Sequence, residues 1–201
     1  ENVRGGWYCK PNRKYELSNL DQSPLPIDWK YKKHNYAEFI LGSYNNALCI
    51  CDFRYRTMRN TVDRRVQQSL NADFVEQTSD VIEMAKVQLN AYFTGKRQAF
   101  DIPLIIAGSD FQKTVWRALQ SIDYGSTISY KQLAAAINNP DAVRAVGTAN
   151  GANALAIIIP CHRVIASDGT LGGYGGGLSL KRRLLSLEEK TNLYITTQTK
   201  E

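Results

Sequence analysis

The feature that most constrains this chain is a short apolar run, residues 155–159, which ends directly at a proline and a cysteine. The run is rich in β-branched isoleucine, which predicts a buried strand. Pro160 cannot donate a hydrogen bond to a neighbouring strand, so we expect the strand to stop there. Cys161 would then lie at the exit of a rigid element, within reach of a cleft. With His162 beside it, a thiol held in this way is suited to nucleophilic chemistry.

The composition indicates a globular chain with a basic surface. Its 201 residues are 43% hydrophobic, enough for one large domain or two small ones. Lys and Arg number 25 against 19 Asp and Glu, and the net charge of +6 favours a polyanion such as DNA, RNA or anionic lipid. Four cysteines are too few for a disulfide framework, so we expect reduced thiols and a cytoplasmic location. No apolar stretch approaches the length of a membrane span, and none is expected.

The first half of the chain predicts a small α/β domain. Residues 1–35 are polar, rich in aromatic residues and without clear periodicity, and we expect an irregular segment there. Two strands joined by a turn are predicted over residues 39–53. Cys49 and Cys51 alternate with one isoleucine in the second strand, which predicts that they share one face. Two helices are predicted next, over residues 60–68 and 76–94.

The second half of the chain predicts a mostly helical domain. Ser109 begins a capping-box pattern for one helix. Two short helices follow, the first over residues 130–137 and the second from near Asp141, and their tight connection outlines a helix-turn-helix. A last helix is predicted over residues 178–190, before an irregular tail. The predicted division is therefore an irregular segment, an α/β domain and a helical domain, over residues 1–35, 36–104 and 105–201.

Two segments of this second half consist mostly of small residues, so few side chains shield their backbone. The helix after Asp141 is built almost entirely from small residues, for which tight helix packing is the ordinary explanation. Arg144 projects from it as a lone long cation, which on a DNA-facing helix would reach a phosphate or enter the base stack. Around Tyr174, five glycines in six positions would let a planar group lie against the main chain. No Lys-Ser/Thr pair closes this loop, so it is not a phosphate loop.

Five blocks of sequence occur in a fixed order in this half, over residues 128–134, 139–147, 159–165, 174–178 and 184–188. Together they resemble the O6-alkylguanine-DNA alkyltransferases, also called methylated-DNA–protein-cysteine methyltransferases. The resemblance is close over residues 109–190 and loose over 37–102. It implies a single-turnover enzyme of DNA repair, which flips an O6-alkylguanine or O4-alkylthymine out of double-stranded DNA and transfers its methyl or alkyl group to Cys161.

The resemblance also implies a fold and a set of roles. The fold is α/β: a small ribonuclease H-like domain with a short sheet, then a mostly helical domain with a helix-turn-helix. It implies a monomer without cofactor or metal, cytoplasmic and nucleoid-associated if bacterial. The catalytic residues would be Cys161 as acceptor, His162 as its water-linked base, Glu188 to orient His162, Asn153 to brace the active-site turn and Tyr130 to assist proton transfer to the guanine. Those contacting DNA or substrate would be Arg144, filling the gap left by the flipped nucleotide, with Ala142, Val143, Ala145, Gly147, Val164, Tyr174 and Gly175.

The sequence departs from the family pattern at two positions beside the implied site. Gly175 stands where some members carry a serine near guanine O6, so that only its backbone N–H can donate. Ala156 is smaller than the proline that some members have nearby. The smaller side chain of Ala156 suggests the hypothesis of a roomier pocket that tolerates larger alkyl groups.

Other classes of protein stay open from the residues alone. A cysteine hydrolase would need a second histidine, and His34 lies in an irregular segment. A zinc site would have to gather Cys9, His34, Cys49 and Cys51, whose spacing is a poor ligand signature. A DNA-binding damage sensor or a transcription regulator without turnover is the remaining alternative. The presence of Cys161 argues against a sensor, and a footprint confined to one DNA sequence would support a regulator.

Overall fold

The computed structural model describes residues 27–33 and 36–198, with the side chains of Lys30 and of residues 36–192. Most of the predicted irregular segment, including Cys9, lies outside these residues, as does His34. Within the described part of the chain, no three His, Cys, Asp or Glu side chains form a group that would hold a metal ion. None of the helices in that part is both long and apolar enough to cross a membrane.

A four-stranded sheet forms the first layer of the molecule. Its strands have the spatial order β3-β2-β1-β4, with β1–β2 and β2–β3 antiparallel and β1–β4 parallel. Asn45 and Asn46 both have positive φ, 47° and 58°, and make the tight turn between β2 and β3. The strands are β1 (Ile27–Lys33), β2 (Glu38–Tyr44), β3 (Ala47–Phe53) and β4 (Phe74–Glu76).

Strand β1 lies inside the segment predicted to be irregular, so that prediction is wrong over Ile27–Lys33. The predicted domain boundary at residue 36 falls between two strands that pair along their length. The signal was present in the sequence, because Ile27, Trp29 and Tyr31 alternate with Asp and Lys.

The two helices predicted in this half are confirmed, and they cover the two faces of the sheet. On one face, α1 (Arg59–Leu70) places Val62 and Val66 against Ile50 of β3. On the other face, α2 (Asp80–Phe93) packs its apolar side against Phe39 and Leu41 of β2. Because both faces are covered, every residue of β3 is buried.

Cys49 and Cys51 do not share a face, and that prediction is wrong. Gly42 pairs with Ile50 and Ser43 pairs with Leu48, so the register passes over Cys49. A bulge of this kind inserts one extra residue and reverses the side-chain alternation beyond it. Cys49 therefore packs with α1, while Cys51 joins the larger core cluster that also contains Cys161.

The second half is mostly helical, and the predicted capping box at Ser109 is confirmed. Ser109 and Ser129 each accept from the third residue of the helix, whose glutamine side chain bonds back to the serine N–H. Asp141 is not a cap, because the next helix is capped by Ala142 without a side-chain bond. The elements are α3 (Asp110–Leu119), β5 (Ile128–Ser129), α4 (Tyr130–Ala136), α5 (Val143–Gly151), a 3₁₀ turn (Cys161–Arg163), β6 (Val164–Ile165) and α6 (Leu178–Gln198), which outruns its predicted end at residue 190.

Residues 155–159 do not form the predicted strand, although all five are buried. Leu155 makes a single bridge to Cys51, and the chain then folds back so that the Ile159 N–H donates to the Leu155 carbonyl at 2.8 Å. Ile157 adopts a φ of +73°, which is unusual and costly for a β-branched residue. The composition of the run was a correct guide to burial and a wrong guide to backbone shape.

Candidate active site

Cys161 begins the 3₁₀ turn that follows the buried loop of residues 155–159. Asn153 fixes this loop from inside, because its Nδ2 donates to the Ile159 carbonyl at 2.8 Å and its Oδ1 accepts from the Leu155 N–H at 2.9 Å. Asn150 fixes the turn itself, donating to the Cys161 carbonyl at 3.2 Å. Two buried amides at the end of α5 therefore hold the backbone on both sides of the cysteine. Asn150 was not predicted.

A narrow pocket reaches Cys161 from the surface. Its walls combine three parts of the molecule: the end of β3 with the loop after it, the end of α5, and the glycine-rich loop. Ala156 also lines it, as the roomier-pocket hypothesis supposed. The remaining lining residues are Phe53, Arg56, Asn150, Gly151, Asn153, Gly173, Tyr174 and Gly175.

Cys161 lies at the bottom of this pocket and not at its rim, since only 5% of the residue is exposed. Burial raises the pKa of its thiol, while a hydrogen bond from Asn153 and the charge of Arg56 act to lower it. The resting protein therefore holds a protonated thiol. The loop of residues 155–159 packs with Cys161 in the larger core cluster, so the thiol is reached through the pocket.

His162 and Glu188 form a fully buried pair beside the cysteine. The His162 Nε2 lies 2.9 Å from Glu188 Oε1, and neither side chain has any exposed area. A carboxylate accepts, so Nε2 carries the proton and Nδ1 is the unprotonated nitrogen. His162 Nδ1 makes no hydrogen bond to any group of the described residues. The free basic nitrogen of the ring is thus Nδ1.

Glu188 is held by more donors than His162 alone. Arg163 clamps it with two hydrogen bonds of 2.9 Å, and the Tyr92 hydroxyl donates to Oε1 at 2.7 Å. The backbone N–H of Gly125 completes the set at 3.1 Å from Oε2. Burial by itself would raise the pKa of Glu188, but the hydrogen bonds from His162 and Arg163, together with the charge of Arg163, outweigh it and hold the pKa at about 2. Glu188 is consequently ionised at any physiological pH.

The pKa of His162 responds mainly to burial. Burial lowers it, and Glu188 opposes this through its hydrogen bond and its charge. A neutral imidazole is therefore the resting form, ready to accept a proton at Nδ1. Tyr92 and Arg163, which fix Glu188, were not predicted.

Tyr130 begins α4 and packs against the glycine-rich loop. A side chain at Gly172 would come within 3.0 Å of the Tyr130 ring, and Gly172 also has a φ of +63°, so only glycine suits this position. Burial raises the pKa of the Tyr130 hydroxyl, and the charge of a Cys161 thiolate raises it further. The phenol is thus a protonated donor near the cysteine, although it does not line the pocket itself.

The small residues of α5 leave one side of this helix open. Arg144 and Ala145 are exposed, and Ala142, Val143 and Gly147 are half-buried. Val164 differs from the rest of the predicted contact set, because its side chain is fully buried where β6 pairs with β5. The structure does not bring Val164 to the pocket or to the surface, since the short parallel strand turns it into the core.

Three basic residues, Lys181, Arg182 and Arg183, follow one another near the start of α6, and they differ in solvent exposure. Lys181 is fully buried, and its Nζ donates to the Val164 carbonyl at 2.6 Å and to that of Leu171. Burial lowers the pKa of this ammonium to about 8. Lys181 therefore ties the beginning of the glycine-rich loop to β6, whereas Arg182 is exposed.

These groups define a class of protein: an enzyme with a cysteine nucleophile, whose adjacent histidine is oriented by a buried glutamate. The sequence profile described as "6-O-methylguanine DNA methyltransferase, DNA binding domain" matches residues 110–190. The methylated-DNA–protein-cysteine methyltransferase of Methanosarcina barkeri is 55% identical over 118 residues, which cover 59% of this chain and 74% of that protein. The one of Mycobacterium tuberculosis is 57% identical over 102 residues, covering 51% and 62%.

Solved structures agree with these relatives. The Mycobacterium tuberculosis OGT in complex with DNA has a TM-score of 0.70 at 38% identity, covering 82% of this chain and 94% of that one. The O6-methylguanine-DNA methyltransferase of Pyrococcus kodakaraensis has a TM-score of 0.56 at 25% identity, covering 81% and 98%. The chain belongs to the methylated-DNA–protein-cysteine methyltransferase family, whose members are DNA-repair enzymes that transfer an alkyl group to a cysteine. The resemblance and the α/β class are confirmed.

Proposed function

We propose that this chain repairs O6-alkylguanine, and O4-alkylthymine, in double-stranded DNA by a single alkyl transfer to Cys161. One observation carries the proposal: Cys161 lies at the bottom of a pocket, and the histidine beside it is fixed by a buried, ionised glutamate. That arrangement supplies a nucleophile and a base of defined tautomer at one point of the molecule.

The proton of the thiol leaves by way of His162. Because Glu188 occupies Nε2, Nδ1 is the nitrogen available as base, and a bridging water would carry the proton to it from Sγ. Glu188 then stabilises the imidazolium that forms. Since burial raises the pKa of Cys161, the resting thiol is protonated, which limits its reaction with other electrophiles.

The transfer itself is a displacement at carbon. The bond from Sγ to the alkyl carbon forms as the bond from that carbon to guanine O6 breaks, and the electron pair passes to the guanine. A proton delivered by Tyr130 neutralises the departing base and is replaced through solvent by the one that Cys161 lost. The products are S-alkylcysteine and guanine, and no step restores the thiol.

DNA would be held by α4 and α5, acting as a helix-turn-helix whose second helix lies in the minor groove. The exposed Arg144 and Ala145 and the small residues of α5 support this, because they allow a close approach to the duplex. Arg144 would fill the space left by the flipped base, whose extrusion costs a few kcal/mol. A ribonuclease H-like N-terminal domain, a monomeric state and a cytoplasmic location stay predictions.

A damage sensor or transcription regulator without turnover is not favoured. A sensor of that kind has no use for an acceptor thiol, yet Cys161 is held in place by Asn150 and Asn153 and served by His162.

The proposal is tested with an O6-methylguanine duplex and intact-mass measurement. We expect the protein to gain the mass of one methylene, located on Cys161 by peptide mapping. Cys161→Ala should lose all transfer and still bind the duplex, whereas the control Cys49→Ala, a substitution in β3 on the side that packs against α1, should react normally. A Cys161→Ala protein that still acquired the methyl group would refute the assignment.

A further inference from the structure

Arg56 is a charged residue in the wall of the Cys161 pocket that comes from the N-terminal half of the chain. The family profile begins at residue 110 and so does not extend to it. Arg56 is only 8% exposed, and a side chain at Gly175 would come within 3.2 Å of its guanidinium. The space beside Gly175 is thus occupied by this arginine.

Three acceptors fix the guanidinium of Arg56. Asp52 Oδ2 accepts from Nη1 at 2.7 Å, and the Asn153 carbonyl accepts from the same nitrogen at 2.8 Å. The Gly151 carbonyl accepts from Nη2. The Gly151 carbonyl lies at the C-terminal end of α5, where a helix presents unpaired carbonyls and partial negative charge, and the Asn153 carbonyl lies two residues beyond it. Arg56 therefore binds the end of the helix that positions Asn153.

Asn153 links Arg56 to the reacting sulfur. Its main chain accepts from Arg56, while its side chain braces the loop before Cys161 and hydrogen-bonds the thiol. A continuous path of buried contacts thus runs from Asp52 through Arg56 and Asn153 to Cys161. The cation at the centre of this path is fixed in the pocket wall and does not depend on substrate to place it.

We propose that Arg56 is a positioning residue for the alkyl transfer: it locks the end of α5 against the pocket and supplies a fixed positive charge that favours the Cys161 thiolate. The inference rests on the proposed function. The other groups that act on Cys161 are Asp52 and Cys51 of β3, Tyr130 of α4, Tyr174 of the glycine-rich loop, Lys181 of α6 and the adjacent His162. Among the cations, only Arg56 lines the pocket.

Arg59 provides a matched control. It is equally buried and donates to the same Asp52 oxygen at 3.0 Å, but its remaining bonds go to Asp63 and none goes to α5. Replacing either arginine by methionine removes one of the two buried cations that pair with Asp52. Only the Arg56 replacement also removes a charge from the pocket.

The test measures the apparent pKa of Cys161 in two ways over a range of pH. One is its carbamidomethylation by iodoacetamide, followed by peptide mapping, and the other is the single-turnover rate with an O6-methylguanine duplex. Arg56→Met should raise the apparent pKa by about one unit, so that both rates fall about tenfold at neutral pH and recover at high pH. Arg56→Lys should restore most of the pKa, and Arg59→Met should leave it at the wild-type value.

An apparent pKa in Arg56→Met equal to that of Arg59→Met would overturn the inference, whatever the loss of rate. If Arg56→Met fails to fold, the comparison is made without Asp52: the Asp52→Asn/Arg56→Met double variant should have a higher apparent pKa than Asp52→Asn alone, and equal values would overturn the inference. Failure of the proposed function looks different: the wild-type protein would then take no methyl group from DNA, although Cys161 still reacted with iodoacetamide.

Discussion

Two carboxylates, Asp52 and Glu188, are fully buried in the described part of the chain, and they differ in how they are paired. Glu188 accepts from a histidine, a bidentate arginine, a phenol and a backbone amide, and its pKa falls to about 2. Asp52 accepts from two arginines and one amide, and burial raises its pKa in spite of the arginines. Burial alone therefore does not set the charge of a carboxylate; the number and type of its donors decide.

The two carboxylates also act at different distances from the reaction. Glu188 bonds the base itself, whereas the hydrogen bonds of Asp52 lead toward the sulfur by way of Arg56 and Asn153, and Asp52 acts on the thiol only through its charge. Substitutions of Glu188 should therefore change the proton transfer itself, whereas substitutions of Asp52 should change only the charge around the thiol.

The largest expected effect is on the transfer rate of Glu188→Gln. The amide can present its NH₂ to His162 and stabilise the wrong tautomer, and it cannot stabilise an imidazolium, so the single-turnover rate should fall on the order of 10²-fold. Asp52→Asn keeps the Arg56 charge and the bonds of Arg56 to the two carbonyls, so the single-turnover rate should fall less than tenfold. A Glu188→Gln rate equal to wild type would remove Glu188 from the mechanism.

The sequence allowed the Glu188 side of this comparison to be predicted, but not the Asp52 and Arg56 side. Cys161, His162 and Glu188 are 27 positions apart at most, inside one set of ordered motifs, so the resemblance placed them together. Arg56 is separated from Asn153 by 97 positions and lies in a half with only a loose resemblance, so nothing in the spacing linked them. The alternation in β1 was readable and was missed. The positive φ of Ile157 was not readable, because tertiary packing imposes it against local preference.

The next effect is on stability in acid. The folded pKa of Glu188 is below its ordinary value of 4.5, so its contribution to the free energy of unfolding is complete above pH 4.5 and is lost as the pH falls toward 2. The gap in unfolding free energy between wild type and Glu188→Gln should therefore narrow over this range in urea titrations.

Asp52 should show the opposite sign. Its folded pKa is above the ordinary value of 3.8, so its contribution to stability increases as the pH falls through the folded pKa. As the pH falls through the folded pKa of Asp52, the unfolding free energy of the wild-type protein should rise relative to that of Asp52→Asn in urea titrations. Parallel acid profiles for the two variants would contradict the different pairing of the two carboxylates.

The smallest expected effect concerns Arg65, which joins the same two halves without touching the pocket. Its Nη2 donates to the Ala152 carbonyl at 2.6 Å and its Nε to that of Ala107 at 3.3 Å, while its guanidinium lies 5.2 Å from the centre of the Trp116 ring. Arg65→Met keeps most of the packing and loses the two bonds, so the unfolding free energy should fall by about 1–2 kcal/mol. The pH profile of Cys161 should stay unchanged, because Arg65 does not line the pocket. A shifted pH profile in Arg65→Met would mean that the position of the end of α5 alone changes the pKa of Cys161. The effect of Arg56 could then not be assigned to its charge.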